Sequence, residues 1–191
     1  MTLCELTGWD LVQAAAWRGR YEPLCERVQQ SLGVAPPDAP GRCVREGELE
    51  IITAAPSRLW CIGPVGSERL AGLAEAVDEE TGCLTELGHS HARVRLRGPS
   101  VRDLLMQEIA IDLDPSVTDA GRVMRTGFHH VPVTLQCIDA DAHHPTFDLY
   151  LPTTFASSTW EYLLDLATAY GYEILERAAC FTEGGTTNEH E

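Results

Sequence analysis

The chain has 191 residues, 44% hydrophobic and 23% charged, the composition of a globular protein of one domain or two small ones. Its 29 acidic residues outnumber 14 basic ones, every one of them arginine, for a formal charge of −15. That balance excludes the basic patch on which nucleic-acid binding depends and repels anionic lipid, and no apolar run approaches the roughly 20 residues of a membrane span. The opening MTLCELTGWDL has no basic stretch followed by an apolar one, so no secretory signal is expected and the chain reads as cytoplasmic. Seven cysteines without CxxC spacing are expected as reduced, mostly buried thiols, not as a disulfide framework or zinc ribbon.

Leu24, Val28 and Leu32 recur at helical spacing between Pro23 and Gly33, which predicts a helix over about residues 23–32. The rest of residues 1–42, including the proline-rich GVAPPDAPGR, lacks regular patterning and predicts an extended N-terminal arm with a connector. From Glu48 the period shortens: LEIITA and RLWCIG flank Ala55, Pro56 and Ser57 as a hairpin. Ser67 is a candidate N-cap for a helix over about residues 67–79, with Leu70, Leu73, Ala74 and Val77 on one face. A short strand over 83–87 follows, and then HARVRLRGP, where Ala92, Val94 and Leu96 alternate with Arg93, Arg95 and Arg97 in strict period two. Gly98 and Pro99 lead into a short helix with Ser100 as N-cap.

Three strands near 123–128, 131–138 and 146–151 then form an antiparallel meander, with Pro132 suited to an edge or a strand start. The last helix, over about residues 154–169, carries Trp160, Leu163, Leu164 and Ala167 on one face and a capping-box candidate in Ser158 and Glu161. Residues 177–191, acidic and almost without apolar side chains, predict a flexible tail. Together these give an α+β body over 43–176 with mixed or antiparallel sheets and helices packed on one face, ferredoxin-like in its alternation, preceded by the arm.

Chemistry is sparse in this pattern. His89 and His91, with His129, His130, His143 and His144, raise the idea of a metal site, but no element supplies three or four convergent ligands; turn and strand-end histidines are expected instead. Arg93, Arg95 and Arg97 could clamp a carboxylate or phosphate; the outer face of a half-buried strand, satisfied by local salt bridges or an interface, is the expectation. Asp112 and Asp114 straddle a turn as solvated carboxylates, and no serine or cysteine has an activating arrangement. Catalytic, cofactor-binding and metal residues are therefore all expected to be absent. Trp60 and Trp160 are placed as packing anchors. Trp9 and Trp17, in the arm, are the candidate interface anchors, with packing inside the monomer as the alternative.

The passages LEIITAAPSRLWCIGP, RVRLRGPSVRDLL with IDLDP, VPVTLQCID and FDLYLPTTFASSTWEYLLDLATAYG occur in an order that resembles the gamma subunit of heterotetrameric sarcosine oxidases, over about residues 24–174. The resemblance implies a fold like part of the folate-dependent aminomethyltransferases. It also implies a non-catalytic subunit beside alpha, beta and delta partners, which hold the FAD, FMN, NAD, tetrahydrofolate and zinc. The complex would demethylate sarcosine or a related N-methyl amine oxidatively. A stand-alone folate-binding domain and a small regulatory α+β module are the alternatives; a KGCYxGQ-type motif of related iron–sulfur assembly proteins is ruled out because the chain has no lysine.

Overall fold

Burial on both faces of nearly every central strand decides the architecture. A computed structural model describes residues 1–181. Among them the elements run β1 (Thr2–Thr7), β2 (Trp9–Ala16), α1 (Tyr21–Leu32), β3 (Cys43–Glu46), β4 (Leu49–Ala55), β5 (Arg58–Pro64), α2 (Glu68–Ala71), α3 (Leu73–Ala76) and β6 (Gly82–Glu86). There follow β7 (His91–Arg97), α4 (Val101–Met106), β8 (Val123–Phe128), β9 (Val131–Asp139), β10 (Thr146–Pro152), α5 (Ala156–Ala167), β11 (Glu173–Ile174) and β12 (Ala178–Ala179). The larger sheet has the order β11-β1-β7-β10-β9-β8, with β12 also on β1; the smaller has β3-β4-β5-β2-β6. Pairing is antiparallel except where β11 and β12 lie parallel to β1, so the larger sheet is mixed.

Three apolar clusters make four layers of this. Leu96, Leu135, Phe147 and Leu149 turn one face of the larger sheet to α4 and α5. Ile51, Leu59 and Cys61 turn one face of the smaller sheet to α1, α2 and α3. Between the sheets lie Leu6, Trp9, Leu11, Ile52, Trp60 and Tyr150. Each sheet thus carries helices on its outer face alone, and the order is helix, sheet, sheet, helix.

Residues 1–16 are not an arm. They form β1 and β2, one strand in each sheet, joined at Gly8, whose φ of +71° turns the chain from one layer to the other. Both strands are covered on both sides, so the alternation that marks a half-buried strand is missing: Leu3 faces the helices while Cys4 and Leu6 face the second sheet. The body therefore begins well before residue 43.

The helix expected over 67–79 is two single turns broken at Gly72, with Ser67 capping Leu70 N–H as foreseen. Glycine holds a helix interior poorly, and Val77 is already extended. No capping box forms in α5: Ser158 Oγ donates to the Phe155 carbonyl instead. Ser100 makes no capping bond. The meander is present, and Pro132 stands near the start of β9, beyond Thr134, where its ladder with β10 ends. Residues 177–181, where a flexible tail is expected, dock instead through β12, with Cys180 N–H donating to the Thr7 carbonyl; the rest of that expectation, 182–191, lies outside the described residues.

Candidate functional site

Arg93 is the largest fully buried side chain among the described residues. It lies on β7 between the sheets. Its Nε donates to Asp148 Oδ2 at 2.8 Å across to β10, and its Nη2 donates to both Glu50 oxygens, at 3.1 and 3.2 Å, across to β4 in the other sheet. Arg95 holds Asp148 from the other side through two bonds of 2.7 and 2.8 Å, and Arg45 approaches Glu50 at 3.4 Å. Both carboxylates are wholly inaccessible. The arginine stripe is thus neither an outer face nor a free clamp for an anion: its first two members point at the second sheet and are already occupied by carboxylates of the same chain. Only Arg97 is exposed.

Aromatic rings complete the cluster. The Arg93 guanidinium lies 4.9 Å from the centroid of Tyr150, whose hydroxyl donates to Gln136 Oε1 at 2.8 Å. Trp9 and Trp60 meet Tyr150 edge-on at 5.9 and 5.8 Å. Burial alone would push the Arg93 guanidinium toward its neutral form, but facing Tyr150, Glu50 and Asp148 reverse this and hold it charged far beyond the ordinary range. Burial likewise keeps the Tyr150 hydroxyl protonated. What this arrangement does is tie two sheets together through paired charges; neither carboxylate keeps a free edge for proton transfer.

Trp9 packs inside the monomer, the alternative weighed for it beside an interface role: it is 8% exposed and its indole N–H donates to the Leu6 carbonyl at 2.9 Å. Trp17 is 47% exposed and is fixed by an indole bond of 2.7 Å to the Glu79 carbonyl. Glu50 and Asp148 are the residues sequence reasoning missed. Their signal was present, since an acid inside LEIITA and another inside FDLYL interrupt otherwise apolar strand runs, and a charge in such a place has to be paired.

The histidines are dispersed. His129 and His130 form the β8–β9 turn, the backbone N–H groups of His143 and His144 bond to Asp141, and His89 precedes β7. His91 packs on Trp60 at 5.0 Å, and its Nδ1 is 2.7 Å from Ser90 Oγ, which donates to the Leu87 carbonyl. Among the described residues no three His, Cys, Asp or Glu side chains converge as a metal site. Asp112 and Asp114 accept local backbone N–H groups in successive turns. The seven cysteines are free. Burial pushes the Cys43 and Cys61 thiols up to about 12, and Cys137 and Cys180 up to about 11, which keeps them as unreactive thiols at neutral pH. No helix is long and apolar enough to cross a membrane among the described residues.

Two surface clefts among the described residues bear on function. One, of about 620 Å³, lies between the connector at 35–39, β3 and Gly121. The other, of about 410 Å³, lies among β7, the start of α5 and the segment 174–177, and is walled mostly by apolar side chains.

The layered sheets form a fold shared with other proteins. The chain superposes on a chain of the heterotetrameric sarcosine oxidase from Corynebacterium sp. U-96, in complex with pyrrole 2-carboxylate, with a TM-score of 0.77 at 19% identity, covering 91% of this chain and 87% of that one. It also superposes on glycine cleavage system aminomethyltransferase T from Bartonella henselae with a TM-score of 0.64 at 14% identity, covering 91% of this chain and 47% of that one. No curated protein matches it in sequence. The model of the sarcosine oxidase, gamma subunit family matches residues 21–169, and the chain belongs to that family.

Proposed function

We propose that this chain is the non-catalytic gamma subunit of a cytoplasmic, heterotetrameric, flavin-dependent sarcosine oxidase, and that it acts as a structural clamp within the complex. The family match over residues 21–169 carries this reading. The likeness to a chain of the Corynebacterium enzyme supports it at the level of fold. So does the interior: the buried ionisable groups of the sheet interface are engaged with one another, and the buried thiols are held protonated.

In the assembled complex, alpha, beta and delta subunits hold FAD, FMN, NAD, tetrahydrofolate and zinc. An N-methyl amine is oxidised there to an imine, its one-carbon unit passes to tetrahydrofolate, and oxygen takes the two electrons as hydrogen peroxide. The contribution of this chain is to hold partners in register. Affinity purification of the chain co-expressed with its partner subunits tests the proposal: a yellow complex with two large subunits and a small zinc protein is expected, and the chain alone is expected to be colourless and inactive. A flavin bound stoichiometrically to the isolated chain would overturn the reading. Tight folate binding by the isolated chain would instead favour a stand-alone aminomethyltransferase-like domain, the alternative to which the fold likeness to aminomethyltransferase T points.

A further inference from the structure

We infer that the cleft between β7, α5 and the C-terminal strands is the groove in which a partner subunit seats an apolar anchor flanked by lysine or arginine. The inference rests on the subunit reading above and adds the surface and the chemistry of its partner. The cleft has a volume of about 410 Å³, with Val94 and Leu151 from the sheet, Ala156 and Trp160 from α5, and Ile174 and Leu175 from the C-terminal segment. Its origin is topological. α5 packs against β10, while the strand order carries β7, β1 and β11 successively away from it, leaving that corner of the sheet's helix face open. Registry agrees, since Ile174 pairs with Leu3 and Glu5 with Val94, which sets all four side chains on that same face.

The apolar surface here is concentrated. Ile174 and Leu175 are 52% and 43% exposed, and Phe155 and Tyr172, their neighbours in sequence or those of the lining, are 48% and 39% exposed. Half of the eight exposed large hydrophobics among the described residues therefore fall within residues 155–175, where isolated ones would be scattered. Among the described residues β11 is also an edge strand, whose outer side an extended segment could pair.

Charge selects the occupant. Among the described residues Glu5 lines the groove, Glu176 lies exposed between its lining residues Leu175 and Arg177, and the cation of the lining, Arg177, is held by Glu5 at 2.6 Å. A second copy would bring the same acidic rim, on a chain of charge −15, against itself. Residues 182–191, TEGGTTNEHE, contain no apolar side chain to fill the cleft and three more glutamates. A separate subunit with an apolar anchor and a basic flank is the complementary partner.

The test uses the full chain co-expressed with the other subunits of its complex. The double variant Ile174→Arg/Leu175→Arg changes only exposed side chains, and its circular dichroism and thermal midpoint are expected to match the parent. Co-purified flavin per mole of chain should fall at least about tenfold, as when a central anchor is lost, while Val65→Arg, at a site 67% exposed elsewhere, assembles normally. Glu176→Lys should slow association at low salt more than at high salt. Undiminished assembly of the double variant overturns the inference and leaves the subunit reading standing; a parent chain that assembles with no flavin-bearing subunit overturns both. A parent homodimer that the double variant dissolves would assign the groove to a second copy and overturn the occupant argued for here. Amide exchange in residues 172–177 that is unchanged between free and assembled chain would overturn it as well.

Discussion

At Arg93 two carboxylates from different sheets meet one guanidinium where water does not reach. Removing it leaves Glu50 and Asp148 charged, buried and facing one another with only Arg45 and Arg95 at their edges. Arg93→Met should therefore cost about 3–5 kcal/mol of stability, read as a lower urea midpoint, whereas Arg97→Gln on the exposed end of the same stripe should cost less than about 0.5 kcal/mol. A second residue sets a pH dependence. Burial, aided by nearby Arg125, holds the His91 imidazole below its ordinary range. The folded state thus resists the proton that the unfolded chain accepts, so the stabilisation is complete above the unfolded value of 6.5 and is lost as pH falls from there toward the folded value. His91→Phe keeps an aromatic ring against Trp60 and should flatten that slope in denaturation series between about pH 7.5 and 5.5. Asp78 and Asp119, held low by hydrogen bonds from Thr81 and Arg42, act only below the ordinary carboxylate value of 3.8 and leave this window clear.

The β8–β9 hairpin shows what an element tolerates and what its sequence discloses. Its two turn residues are His129 and His130, at φ of +46° and +66°, both in the left-handed region that costs an L side chain roughly 1 kcal/mol and that glycine enters freely. His129 has a compensation, its ring stacked at 3.7 Å on Tyr162, whose hydroxyl donates to Glu108. His130 has no such stack among the described residues, its ring lying tilted against that of His129. His130→Gly should raise the thermal midpoint by a few degrees, and His129→Gly should leave it unchanged or lower it, because the stack is lost as the strain is relieved. The turn's position was legible, since it separates two strand-like runs; its strain was not, because the histidine pair draws attention as metal ligands and carries no mark of backbone angle. The same division runs through the other elements. Helix α1, the β4–β5 hairpin and the meander follow from amphipathic period and turn residues, and Gly33 caps α1 at φ +67° as the C-terminal glycine predicts. β1 and β2 escape notice because strands covered on both sides have no polar alternation to display.

On the scale of the molecule, the chain makes its two sheets from interleaved segments, and the contacts between them are long-range. Gly41 marks one crossing: at φ +67° its backbone lies so near Val123 that a Cβ would sit 2.8 Å from that carbonyl, and Cys43 N–H reaches the Gly121 carbonyl at 2.8 Å. The pairing of Glu50 with Arg93 belongs to this scale, which is why a local pattern could show that each was out of place and not that they were partners. The C-terminal end closes the same interface. Cys180 and Phe181 are 6% and 9% exposed within the core between the sheets, and the Arg45 guanidinium lies 5.3 Å from the Phe181 ring centroid, next to Glu50. Two truncations separate this closure from the acidic residues that follow. A chain ending at Phe181 retains β12 and the ring; one ending at Glu176 loses both, opens the ion cluster toward water, and should be less stable by about 3 kcal/mol or more, the usual cost of deleting a buried phenylalanine. Urea unfolding of the two measures the difference directly, and equal midpoints would mean that residues 177–181 add nothing and that a flexible tail does begin at Arg177. The expected loss would make the C-terminal segment a strap across both sheets, so that a partner seated on Ile174 and Leu175 would grip the protein at the point where its two halves are joined.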